Sequence, residues 1–153
     1  MLKNSDHLWN KVISVVKKYG WCNQIVLGSE KSPPFAYTIG MSDKRLPELF
    51  ISGLRQDISH VFLNLVCKGL LDGSFQGQDA EILNEVATVP LMFRELDLLD
   101  VEKVMLGAIR YANGSNNPIK FMQILFPDVN GNFPGNPNCD SQCSKAQSLS
   151  NLK

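Results

Sequence analysis

The sequence predicts an α+β fold: a mostly antiparallel sheet of about five strands with three packed helices, in the order α-β-β-β-α-β-α-β. Three observations predict it. Apolar residues recur at helical spacing in three separated segments. Three β-rich stretches follow one another with short connections, the pattern of an antiparallel meander. A late stretch, "IKFMQILFPD", is nearly all apolar, as a central strand would be.

Each element has its own local signal. Ser5 and Asp6 offer an N-cap, and Trp9, Val12, Ile13, Val16 and Tyr19 follow on one helical face. Gly20 stops that helix in the manner of a C′ glycine. "WCNQIVLGSE", "FAYTIGM" and "ELFISGL" read as strands, joined by the loop "KSPP" and the polar turn "SDKRLP". Asp57 is placed to cap a second helix whose stripe is Ile58, Val61, Phe62, Leu65, Val66 and Leu70. "DGSFQGQD" ends it. "EVATVPLMFREL" is β-rich, but Pro90 lacks a ladder donor, which puts it on an edge or at a bulge. Asp97 or Asp100 caps a third helix with Val101, Val104, Met105, Ala108 and Tyr111 inward, broken by "NGSNNP".

Residues 1–134 read as a single α+β domain. Residues 135–153 are rich in Asn, Ser, Gly and Pro, which predicts an irregular, flexible tail anchored only by Phe133. Fifteen basic and fifteen acidic side chains cancel, so a broad nucleic-acid footprint is not expected. No apolar run approaches the roughly 18 to 20 residues of a membrane span, and "MLKNSDHLWNK" lacks a signal-peptide core. The expectation is a cytoplasmic protein with no membrane partner; self-association is left open.

The chemistry-bearing residues form no familiar set. Glycine-rich nucleotide motifs, a nucleophile elbow and a zinc-helix motif are absent, and no cofactor is expected. Cys22 and Cys67 sit in apolar segments and read as buried hydrophobes. Cys139 and Cys143 form C-x-x-x-C, but His7 and His60 are far away in sequence, so the pair reads as tail thiols rather than a zinc site. Arg94 ends a β-rich run, where its planar fork could meet a phosphate or carboxylate. His60 reads as a solvent-facing helix residue. Glu95 and Asp57 read as surface ion-pair partners.

Two stretches stand out. In "KSPPFAYTIGM", period-two reading gives a bulky face (Phe35, Tyr37, Ile39, Met41) and a small one (Pro34, Ala36, Thr38, Gly40). The small face admits either a helix backbone, near Gly69 or Gly107, or a ligand. In "FPDVNGNFP", Asp128, Asn130 and Gly131 form a turn that could end a strand or wall a pocket.

Together, "PPFAYTIGM…LPELFISGL" and "QILFPDVNGNFP" resemble a widespread bacterial family, domain of unknown function 4262, over roughly Trp21 to Pro134. The resemblance implies that Tyr37, Thr38, Gly40, Glu48, Gln123, Asp128 and Gly131 belong to one site or one structural junction. It brings no established activity. Leu46 stands where the family has His, Phe126 where Trp is common, and Gly135 where Trp often follows the last Pro.

The leading functional expectation is a binding module for a small polar, nucleotide-like ligand, in a sequestering or regulatory role. Its site would draw on Tyr37, Thr38, Gly40, Glu48, Arg94, Gln123, Asp128 and Phe133. One alternative is a hydrolase with Glu48 or Asp128 as base. Another is a protein-interaction or effector module with no small-molecule ligand, whose polar tail could fold on a partner.

Overall fold

The computed structural model describes residues 2–116 and 118–151. Helix α1 (Leu2–Tyr19) starts ahead of Ser5 and Asp6, so the expected cap lies inside the helix. Val16 is buried as expected, whereas Tyr19 is exposed. Gly20 closes the helix with its N–H on Val16 O at 2.8 Å.

The expected meander forms from β1 (Cys22–Val26), β2 (Phe35–Ile39) and β3 (Glu48–Ser52), paired antiparallel in sequence order. Its second connection holds a 3-10 turn, Met41–Lys44. Helix α2 (Gln56–Leu71) follows. Asp57 lies within its first turn and pairs with Arg55 at 2.8 Å, so it is not the cap. The buried stripe is Ser59, Leu63, Val66, Cys67 and Leu70, and the expected stripe members Val61 and Leu65 are exposed.

The second half departs further from expectation. A two-residue strand, β4 (Ile82–Leu83), precedes β5 (Leu91–Leu96). Pro90 stands one residue ahead of β5, where it removes no ladder bond, and β5 is internal rather than an edge. The predicted third helix is two helices. Asp97 caps α3 (Leu98–Val101) in a reciprocal box with Asp100, and the chain turns before α4 (Leu106–Ser115). Val101, Val104, Met105 and Ala108 are buried even so. Asn116 ends α4 in the left-handed region, while Asn117 of the predicted breaker lies outside the described residues.

Strand β6 (Phe121–Leu125) is central and wholly buried, as its apolar run predicts. It pairs parallel with β3 and antiparallel with β5. A parallel pair needs a long crossover, and the segment from α2 through α4 supplies it. The sheet is therefore six-stranded and mixed, in the order β1-β2-β3-β6-β5-β4, with five α-helices among the described residues.

Two apolar cores flank the sheet. One joins Ala36, Leu49, Ile51, Met122 and Ile124 to Leu63, Val66, Cys67 and Leu70 of α2. The other joins Tyr37, Ile39, Phe50 and Phe121 to Val16 of α1 and Val101, Met105 and Ala108 of α3 and α4. The small face of β2 is thus packed beneath α2. Neither Gly69 nor Gly107 makes that contact: Gly69 meets Phe75, and Gly107 meets Ile39 and the Tyr37 hydroxyl. Met41, read as bulky-face, joins the α2 core because β2 ends at Ile39 and the chain turns at Gly40.

The polar C-terminal segment is not irregular throughout. Asp140 caps α5 (Ser141–Ala146) through the N–H groups of Gln142 and Cys143. Gln147 is fully buried. Its amide accepts from Phe126 N and donates to Phe126 O, both at 2.9 Å, and its carbonyl accepts from Gln123 Nε2. Ser52 Oγ donates to Ala146 O at 2.9 Å. Gln147, more than the half-buried Phe133, anchors this segment.

Candidate functional site

The residues singled out in the sequence fall into three groups. The first is centred on Glu48, at the start of β3, which has no solvent exposure. Its carboxylate accepts from Thr38 Oγ1 at 2.8 Å, Gly40 N at 2.8 Å and Met41 N at 3.0 Å, with Ser42 N adding a fourth donor. Thr38 Oγ1 accepts in turn from Leu49 N at 2.8 Å. Gly40 has φ +111°, and a Cβ there would stand 2.6 Å from Val16 Cγ1. The turn therefore needs glycine twice over, for its backbone angle and for the approach of α1. Burial pushes Glu48 up to about 7, against the pull of the Thr38 hydroxyl and the three amides.

Tyr37 lies on the opposite face of β2, where its hydroxyl accepts from Gly107 N at 3.1 Å. The second group is Arg94 and Gln123, cross-strand partners on β5 and β6. Arg94 Nη2 donates to Gln123 Oε1 at 2.8 Å, and burial lowers the guanidinium. Gln123 has no exposure and is the point where the Gln147 clamp meets the sheet.

The third group is the Asp128 turn. Asp128 Oδ1 accepts from Asn130 N and Asn132 N, and Oδ2 accepts from Asp140 N at 2.7 Å. Those bonds, with Asn132 and Asp140 foremost, hold the carboxyl below its ordinary range. Gly131 N closes the turn on Asp128 O, and Phe133 O accepts from Asn136 N. The structure thus joins Thr38, Gly40 and Glu48, joins Arg94 and Gln123, and leaves Asp128 and Phe133 in a separate turn. Thr38, Glu48 and Gln123 all lie beneath the protein surface.

A cleft of about 500 Å³ opens beside the first group, where α1, β1 and α2 meet. Alternation along the chain into β1 sends Trp21, Asn23 and Ile25 to the α2 side of the sheet, with Trp21 and Ile25 packed on its core. Asn23 is the cross-strand partner of Thr38, so the cleft sits at the outer end of the small face. From α2 come His60, Asn64 and Lys68, one turn apart on one helix face. Tyr19 completes the rim, with Lys18 Nζ 5.2 Å from its ring centroid.

The polar atoms of this cleft are already in register with one another. Asn64 Oδ1 accepts from Trp21 Nε1 at 3.2 Å and from Asn23 Nδ2 at 2.9 Å. His60 Nδ1 lies 3.0 Å from Asn23 Nδ2, and Nε2 lies 3.2 Å from Asn64 Nδ2. A neutral imidazole accepts at only one nitrogen, so one amide donor stays without its bond. Among the described residues, Asn23 Oδ1 is buried without a hydrogen-bond partner. Such a group costs about 1–3 kcal/mol, so this cluster is not optimised for its own stability.

Among the described residues, no three His, Cys, Asp or Glu side chains stand in a metal-holding arrangement, and no helix is long and apolar enough to cross a membrane. Glu95 and Asp57 form exposed ion pairs with Lys120 and Arg55, as expected.

The family described as Domain of unknown function (DUF4262) matches residues 15–140. The chain belongs to the DUF4262 family. No curated protein and no solved structure matches it. The DUF4262 match takes in the Glu48 junction, the Asp128 turn and every residue of the cleft, and it ends before α5. Leu46, where the sequence resemblance led to an expectation of His, is half-buried against the α2 core. Phe126 packs on the same core, and Gly135 has open space around it.

Sequence reading missed the cleft and set His60 aside. The signal that could have found it is His60, Asn64 and Lys68 at i, i+4 and i+8, a polar stripe on a helix with an apolar face. A second is Asn23, between Trp21 and Ile25 on an otherwise apolar strand face.

Proposed function

We propose that this protein is a binding module for a small polar, nucleotide-like ligand, seated in the cleft between α1, β1 and α2. The observation that carries this reading is the cluster of Trp21, Asn23, His60 and Asn64. It offers amide and imidazole edges beside an indole in a concavity of ligand size. A planar heterocycle would lie against Trp21 and Tyr19. Its polar edge would compete for the two amides, relieving the mismatch at His60. Lys68, on the wall of the cleft, places positive charge where an anionic group would lie. The Thr38–Glu48 junction then acts from behind, fixing β2 and so the strand that carries Asn23. A sequestering or regulatory role fits such a site better than turnover.

The hydrolase alternative draws less support. Glu48 is enclosed, and the Asp128 oxygens are engaged by backbone N–H groups. In the effector alternative the tail could fold on a partner; a tail held to the sheet, with Gln147 buried and its carbonyl bonded to Gln123 of β6, gives that part of the reading less support.

A thermal-shift panel of nucleoside monophosphates, cyclic nucleotides and their bases tests the proposal. At least one compound should raise Tm in the wild type and fail to do so in Asn64→Leu. No shift across the panel, or a shift that Asn64→Leu retains, would overturn it.

A further inference from the structure

Helix α2 borders a second concavity beyond the cleft. It has a volume of about 480 Å³ and lies between the C-terminal half of α2 and the chain around β4. Lys68 lines both concavities, so the two adjoin at this residue. It follows Asn64 by one helical turn, and Asp72, the C-cap, follows it by another. Among the described residues, Lys68 has no ion-pair partner.

The two concavities differ in charge. The cleft has no acidic residue on its walls, whereas Asp72 and Glu85 stand on the walls of the second. The Ser74 hydroxyl, at 2.6 Å, and the Ser74 N–H, at 2.8 Å, hold Asp72 below the ordinary carboxylate range. The C-terminal end of α2 adds a partial negative charge of its own. Phosphates are repelled there, while hydroxyl and amine donors find acceptors. The remaining wall is largely apolar. Leu65 and Ile82 are left exposed on it, and Phe75 packs against Gly69. A flat ring can lie on such a surface.

We infer that the ligand of the cleft is two-headed: two nucleoside-like units joined by one phosphate bridge, with the bridge at Lys68 and the second head against Leu65, Phe75 and Ile82. This rests on the cleft reading given under the proposed function. Charge sets the order of the parts. One head meets Asn23, His60 and Asn64, and the bridging anion meets the lysine. The ribose hydroxyls or ring amine of the other head meet Asp72 and Glu85. A nucleoside triphosphate is disfavoured, because its anionic tail would run from Lys68 towards the two carboxylates. Each concavity is of ordinary ligand size, so two linked heads gain affinity over either one alone.

The test is calorimetric titration of the full chain with homodinucleoside monophosphates, the corresponding mononucleotides and the triphosphates. At least one dinucleoside monophosphate should bind about tenfold or more tightly than its mononucleotide, and the triphosphate should show no such gain. In Ile82→Glu, which adds a carboxylate to the second concavity, that ratio should fall to about one. Magnetic resonance gives a second reading: the dinucleoside monophosphate should shift the Ile82 and Val86 amides, and the mononucleotide should not. A mononucleotide that binds through Asn64, with no gain for the dinucleoside compound, would overturn the inference and leave the cleft reading standing. A gain retained in Ile82→Glu, or no shift at Ile82 and Val86, would also overturn it. Binding of none of these compounds would overturn both.

Discussion

Thr38 Oγ1 donates to Glu48 Oε1 at 2.8 Å, and neither residue has any solvent exposure. The same oxygen accepts from Leu49 N, so one hydroxyl extends the β2–β3 ladder beyond its last backbone pair, Tyr37 and Phe50. Replacing it with the isosteric Val leaves a buried N–H without an acceptor and a buried carboxylate short of a donor. Thr38→Val should cost about 2–4 kcal/mol in denaturant unfolding, with the fold retained.

The Glu48 carboxyl should also make stability depend on pH. Its folded value, about 7, lies above its ordinary 4.5, so the folded state holds the proton more tightly. This contribution is fully present below about pH 4.5 and is lost as pH rises through about 7. The loss across that window is about 3 kcal/mol. Asp57, Asp72 and Asp128, whose values are lowered, act in the opposite sense and at lower pH, below 3.8. Urea midpoints measured from pH 4.5 to 8 should fall with rising pH in the wild type and stay nearly level in Glu48→Gln.

Gln147 holds the last described helix to the central strand through polar bonds. Gln147→Ala leaves Phe126 N and O without their partners and should cost about 2–3 kcal/mol. Hydrogen exchange should quicken at Phe126 and over α5, while β1 and β2 stay protected. Exchange unchanged at Phe126 would mean that the clamp does not hold the segment.

These residues also show what the sequence could and could not reveal. The meander and the central strand were legible because Ala36, Ile39, Phe50 and Ile124 lie in dense apolar runs whose only stable place is a sheet interior. Helix α5 was not, because one buried glutamine and a capping aspartate hold it rather than an apolar stripe. The break between α3 and α4 was hidden because Val101, Val104, Met105 and Ala108 keep helical spacing across it. Strand β4 has two residues, too few for any period.

The site was legible in part. "FAYTIG" and "PEL" pointed to Thr38, Gly40 and Glu48, which do meet, but in a sealed junction. The cleft beside them depends on Asn23 meeting His60 and Asn64 across the sheet–helix layer. Contacts between residues about forty positions apart have no periodicity to betray them.

The most direct test of the central claim is a titration followed by nuclear magnetic resonance, because the cleft's polar groups are individually visible. Isotope-labelled protein is titrated with nucleoside monophosphates and cyclic nucleotides. The account predicts saturable shifts of the Trp21 indole N–H and the Asn23 and Asn64 side-chain amides, with smaller shifts at Thr38. Shifts confined to the Asp128 turn or Arg94, or none at Trp21, Asn23 and Asn64, would contradict it.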